Sequence, residues 1–156
     1  MIIALGCDHA GFPLKAEVVE YLKSLDIKVI DHGCYSIDEV DFPDITKLVC
    51  HSVKNGEADR GLMVCGTGVG ASIAANKFAG IRAAVCHDIH SAHQSVEHDD
   101  VNVMCIGAKI VGPWLAKDLI DSFLKAEFST EQHFIRRVTK LHQLELDIAR
   151  ELKDKV

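Results

Sequence analysis

The chain has no apolar run long enough to cross a bilayer, no excess of positive charge, no paired-cysteine spacing and no internal repeat. Each absence removes a class of protein. Without an apolar stretch of about twenty residues there is no helical membrane span. Met1-Ile2-Ile3-Ala4-Leu5 reaches a Gly-containing charged turn too early for a secretory signal, so the expected location is cytoplasmic. A formal net charge of −6 disfavours nucleic acid and anionic membranes as main partners, leaving small, locally bound anions. Six cysteines (Cys7, Cys34, Cys50, Cys65, Cys86, Cys105) occur without CxxC clustering, mostly in or beside apolar runs, and read as free thiols. Cys34 alone falls in a polar loop. No lysine follows the glycine-rich stretch at the Walker spacing, which argues against a nucleoside triphosphate.

What is present is organised around Gly61-Leu62-Met63-Val64-Cys65-Gly66-Thr67-Gly68-Val69-Gly70, which leads into the Ala-rich Ala71 to Lys77. An apolar run of strand length ends on a cysteine and three alternate glycines before a helical segment. Alternate glycines let successive N–H groups turn toward one point, and a helix start adds partial positive charge there. The expected product is an anion cradle with a thiol at its lip.

Four further apolar runs, at residues 1–6, 27–30, 81–86 and 101–106, alternate with helical patterns. Pro13 and Pro43 open two of those helices, and Asn55-Gly56 stops the second. Thr130 is expected to cap a last long helix. At 156 residues, 48% hydrophobic, this predicts one α/β domain over 1–156: a doubly wound five-stranded parallel sheet with helices on both faces and a C-terminal helical extension over 129–156.

Ligands of such sheets bind beyond the carboxyl ends of the strands. That edge collects Asp8 and His9, the stretch from Cys65 to Gly70, and His87 with Asp88. His98 and Asp99 join them only if their helix brings them there. A thiol among converging N–H dipoles is expected to have a lowered pKa, which favours Cys65 as a reactive group. Gly66, Gly68 and Ala71 also satisfy a dinucleotide fingerprint, with Asp88 near the ribose position, but Cys65 has no role in holding a nicotinamide nucleotide. His87, Asp88, His90, His93 and His98 admit a metal reading, yet no cysteine joins them at ligand spacing, and solvated histidines are expected instead. His98, beside Asp99 and Asp100, is the best general acid/base histidine. His133, Arg136 and Arg137 read either as a solvated basic face or as a phosphate cap.

Gly6-Cys7-Asp8-His9-Ala10-Gly11, Asp41-Phe42-Pro43-Asp44, Cys65-Gly66-Thr67-Gly68-Val69-Gly70, Gly80-Ile81-Arg82-Ala83 and His98-Asp99-Asp100-Val101-Asn102-Val103 together resemble type B ribose-5-phosphate isomerase, within a group that includes allose- and galactose-6-phosphate isomerases. The resemblance runs from residue 1 to about 140. It implies a cytoplasmic aldose–ketose isomerase of carbohydrate metabolism and the pentose phosphate pathway, without metal or organic cofactor. It implies that Cys65 moves a proton between C1 and C2 of an open-chain sugar phosphate, that Thr67 and the amides of Gly66, Gly68, Val69 and Gly70 hold the enediolate, and that His98 opens the ring. Asp8 and His9 would contact the sugar and its phosphate. A basic residue near the C-terminus, matched by Arg137, would reach phosphate from the partner of a homodimer, itself able to pair into a tetramer. The chain departs from that pattern at Asp99 (usually Asn), Phe42 (commonly Tyr), Lys109 (often Arg) and in the register of Gln132 to Arg137. A carboxylate where an amide is usual exchanges a donor for an acceptor beside the sugar, so a hexose 6-phosphate or another pentose phosphate is the alternative substrate. A phosphosugar- or dinucleotide-binding protein without turnover is the alternative of a different class.

Overall fold

The computed structural model describes residues 1–154. In chain order they form β1 (Ile2–Cys7), α1 (Phe12–Ser24), β2 (Lys28–Asp31), α2 (Phe42–Lys54), β3 (Arg60–Cys65), α3 (Val69–Ala75), β4 (Ala83–Val85), α4 (Ile89–Asp99), β5 (Val103–Gly107), α5 (Pro113–Lys125) and α6 (Gln132–Lys153). The strands make one parallel sheet in the order β2-β1-β3-β5-β4.

Alternation along the strands sorts the core into two layers. Ile3, Leu5 and Cys7 of β1, Leu62 and Val64 of β3, and Met104 and Ile106 of β5 face α1, α4 and α5. Ala4, Met63, Cys65, Val103 and Cys105 face α2 and α3. Right-handed crossovers account for this division, since the chain steps one way across the sheet through α2 and α3 and back through α1 and α4. The order reverses between β1 and β3, so their adjacent carboxyl ends form a switch point where the sheet opens a crevice.

Three expected boundaries moved, the first because side chains took over backbone hydrogen bonds. β4 is three residues long where six were expected. Before it, Asn76 Oδ1 accepts from the Ala83 N–H, and Asn102 Oδ1 accepts from the Arg82 N–H. β5 starts at Val103 because the Val101 N–H bonds back to the Ser95 carbonyl behind Asp100, whose φ is +51°. Thr130 caps nothing: Glu131 is the N-cap of α6 and makes no side-chain cap bond. Trp114, at the first turn of α5, is 87% exposed.

No residue of α6 is buried. Leu141, Leu144, Ile148 and Leu152 recur along it at three- and four-residue spacing and are all exposed.

Candidate active site

Asp8 and Cys65 occupy the switch point. Asp8 follows β1, whose even residues face α2 and α3, and Cys65 ends β3, whose odd residues do, so the two side chains emerge on the same side of the sheet. The Cys65 Sγ donates to Asp8 Oδ2 at 2.8 Å, and Asp8 Oδ1 accepts from the Gly11 N–H at 2.8 Å. Asp8 is 5% and Cys65 7% exposed. Gly11 is obligatory here, because a Cβ would lie 1.9 Å from the Val64 carbonyl oxygen.

The Gly66 and Gly68 amides face the sulfur and pull its pKa down. The direction of the net shift is the opposite of that expected. Burial pushes the Cys65 thiol up, and the hydrogen bond to Asp8 and its negative charge push further than the two amides pull back. Dipole reasoning from the glycine spacing alone missed Asp8, which sits 57 residues away. At neutral pH Cys65 is therefore a protonated thiol, hydrogen-bonded to the Asp8 carboxylate.

Gly68 turns the loop with φ +79°, and a side chain there would press on the backbone of Cys105 and Ile106. Val69 begins α3, whose first-turn amides have no acceptor within the helix. The Thr67 hydroxyl accepts a long 3.4 Å bond from the Val69 N–H, and both residues are exposed at the mouth. The Phe42 ring lies against Gly70 and leaves no room for a Cβ, which fixes the start of α2 against the loop. Lys109 follows β5 at the same edge, its N–H bonded to the Gly66 carbonyl. His9 holds the loop after β2 by accepting from the Val40 N–H at Nδ1, 3.3 Å away. His87 Nε2 accepts from the Gly107 N–H at 2.9 Å. Shallow grooves flank the loop, one of about 340 Å³ lined by Ala10 and Lys109, the other of about 490 Å³ lined by Phe42, Gly70 and Ile73.

His98 and Asp99 do not reach this edge within the chain. α4 begins at the carboxyl edge after β4 and runs about 16 Å back across the sheet. It ends beside Arg82, the residue before β4, whose Nε donates to the Asp100 carbonyl. There His98 stacks on Phe134 of α6 with ring centroids 3.9 Å apart. His133 lies 4.0 Å from the same ring on centroids, and the Arg137 guanidinium 5.6 Å from it. His98, Asp99, His133, Arg136 and Arg137 thus form a second group at the amino edge, with both arginines exposed. Phe134, which joins them, carried no functional signal in the sequence beyond its place between His133 and the arginines. The histidines weighed as metal ligands disperse: His87 binds a backbone amide, while His93 faces Glu97 at 3.5 Å. Among the described residues no three His, Cys, Asp or Glu side chains converge.

The strand order and the thiol–carboxylate pair under a glycine loop define a doubly wound α/β protein equipped for proton transfer at its switch point. Residues 3–141 match the model of the Ribose/Galactose Isomerase family, and the chain belongs to that family. It is 48% identical over 131 residues to ribose-5-phosphate isomerase B of Escherichia coli, covering 84% of this chain and 88% of that one. It is 40% identical over 144 residues to a galactose-6-phosphate isomerase subunit of Clostridium acetobutylicum, covering 90% and 83%. A solved structure of Clostridium thermocellum ribose-5-phosphate isomerase B superposes with a TM-score of 0.92 at 45% identity, over 95% of this chain and 99% of that one.

Proposed function

We propose that this chain interconverts ribose 5-phosphate and ribulose 5-phosphate, with Cys65 as the base and no cofactor. The observation that carries the reading is the Cys65 thiol donating to the Asp8 carboxylate while two glycine amides face the sulfur. Aldose–ketose isomerisation needs a proton taken from C2 and returned to C1 on one face of the sugar. As Asp8 accepts the thiol proton, the Gly66 and Gly68 amides hold the thiolate. The thiolate takes the C2 proton while the C1 carbonyl electrons shift onto oxygen, giving an enediolate. The amides of Val69 and Gly70 and the Thr67 hydroxyl stabilise that oxyanion; the C2 hydroxyl proton passes to the C1 oxygen, and the Cys65 thiol returns its proton to C1 as the C2 carbonyl forms, completing the ketose. Lys109 and His9 border the same opening and would contact hydroxyls or phosphate.

The remaining functions come from a second copy of the chain in a homodimer. His98 and Asp99 would open the furanose ring and read its hydroxyls, and His133, Arg136 and Arg137 would hold phosphate, all from the partner. Two features support this division: those residues lie at the amino edge of their own sheet, and α6 carries an exposed Leu/Ile stripe. On this reading, residues 129–156 are a dimerisation extension of a single 1–156 domain, and dimers can pair into tetramers. Buried free thiols support a cytoplasmic location. Among the described residues no helix is long and apolar enough to cross a membrane.

The test co-expresses a Cys65→Ala chain with a His98→Ala chain, each inactive alone. A mixed dimer would have one site with both changes and one with neither, so statistical mixing restores about a quarter of wild-type turnover. No recovery despite mixed dimers would refute the division. An unaltered kcat in Cys65→Ala would remove the base. Measuring kcat/KM on ribose 5-phosphate and galactose 6-phosphate decides the substrate, since Asp99 favours a ligand that donates to it.

A further inference from the structure

Cys7 and Cys34 lie on the far side of β1 from Asp8, and the isomerase chemistry uses neither. Their sulfurs are 3.6 Å apart, and both side chains are buried. The Cys34 N–H donates to the Cys7 carbonyl at 2.7 Å, which with standard backbone lengths holds the two Cα atoms within about 6.6 Å. That span lies inside the range a disulfide bridges, and the sulfurs have only to close the gap between them. The Lys15 ammonium, paired with Asp31 at 2.7 Å, donates to the Cys34 carbonyl at 2.7 Å, and its charge pulls the Cys7 pKa down against burial. Cys34 itself is tied to β1 and Lys15, but it is one residue in from exposed Tyr35, and residues 35–38 beyond it make only local side-chain hydrogen bonds such as Ser36 to Asp38. Local opening of residues 35–38 uncovers the Cys34 sulfur to a small reagent without breaking the bonds that hold its backbone to β1.

We propose that Cys7 and Cys34 form a reversible disulfide, a redox modification site coupled to Asp8 through the strand end they share. The oxidant is a low-molecular-weight disulfide such as glutathione disulfide. The Cys34 thiolate attacks one of its sulfurs, the small S–S bond breaks, and one glutathione leaves as thiolate. The Cys7 sulfur then attacks the Cys34 sulfur of the mixed disulfide, its proton passing to the second departing glutathione. Two electrons move from the protein dithiol to the small disulfide, which ends as two thiols. Burial and the neighbouring Cys34 thiol push Cys7 up to about 12 in the reduced protein. Capping Cys34 removes the thiol's share of that opposition. Closing the bond draws the Cys7 end of β1 toward the loop, and Asp8, the next residue, moves with it. This last step rests on the role proposed above for Asp8, whereas the crosslink does not.

Full-length protein equilibrated with glutathione disulfide is quenched by alkylation and read by intact mass and peptide mapping. The wild type is expected to lose two hydrogen masses, to yield a Cys7–Cys34 linked peptide, and to recover on adding dithiothreitol. Cys34→Ser is expected to show no link and to keep its turnover in the oxidising buffer while the wild type loses most of its own. A wild type with no link, or with only a glutathione adduct on Cys34, overturns the site. An equal loss of turnover in Cys34→Ser, or a link formed without loss, overturns the coupling to Asp8. The link is read by mass whatever the turnover, so it stands or falls apart from the isomerase assignment.

Discussion

Asp8→Asn should move two properties of Cys65 in opposite directions. The carboxylate raises the Cys65 pKa twice over, by accepting its hydrogen bond at 2.8 Å and by its charge. An asparagine oxygen can still accept from the Gly11 N–H, so the loop keeps its shape, but the amide nitrogen turned to the sulfur is a donor. A hydrogen bond to a charged group is worth about 1.5–3 kcal/mol, and each 1.4 kcal/mol is tenfold in an equilibrium. The thiolate population at neutral pH should therefore rise about tenfold or more. Alkylation by iodoacetamide should accelerate by somewhat less, because a less basic thiolate is also a weaker nucleophile. Turnover should fall by about 10²–10⁴-fold, since nothing remains to accept the thiol proton and return it in each cycle. The assay is the second-order alkylation rate of Cys65, followed by peptide mass, alongside kcat on ribose 5-phosphate. Slower alkylation in the variant, or turnover near wild type, would refute the pairing of the two residues as a proton relay.

Arg137→Ala should raise KM for the phosphorylated sugar about tenfold or more with a smaller change in kcat, the pattern of a lost phosphate contact; an unchanged KM removes that residue from the site. Gly11→Ala drives a Cβ into the Val64 carbonyl. It should cost about 3 kcal/mol or more, lowering Tm by roughly 6–12 °C, and calorimetry showing no loss would contradict the close approach. Stability should fall as pH rises above about 9. Burial pushes Cys7 up to about 12 and Cys50 up to about 11 from an ordinary value of 9.0, so unfolded thiols ionise while the folded ones stay neutral. That contribution is full below pH 9 and is lost as pH climbs toward 11–12. Tm measured across this range should decline less in Cys50→Ala than in wild type, and equal slopes would discard Cys50 as a contributor.

The alternation of five short apolar runs with helical patterns was enough to define the parallel sheet, because a strand buried on both faces has to be apolar throughout and its crossover has to be amphipathic. The same local logic located the Cys65 loop, where alternate glycines next to a strand end have few other uses. The boundary at β4 escaped it because Asn76 and Asn102 capture backbone groups that a strand pattern assigns to the ladder, and that of β5 because the Val101 N–H turns back to the Ser95 carbonyl.

What the sequence could not settle concerns residues far apart in the chain. The protonation state of Cys65 depends on its burial and on Asp8, and the expectation of a lowered pKa failed because local dipoles were weighed without either. The neighbourhood of His98 depends on the direction in which α4 crosses the sheet, which sends it to Phe134 and Arg137 and away from Cys65. Likewise, Cys7 and Cys34 were six-cysteine bookkeeping until β1 and the loop after β2 lay side by side. Periodicity and turn chemistry are written in neighbouring residues, so the chain alone specifies its elements and the motif at the end of β3. Charge, burial and proton sharing act through space, and only the packed sheet decides which groups meet.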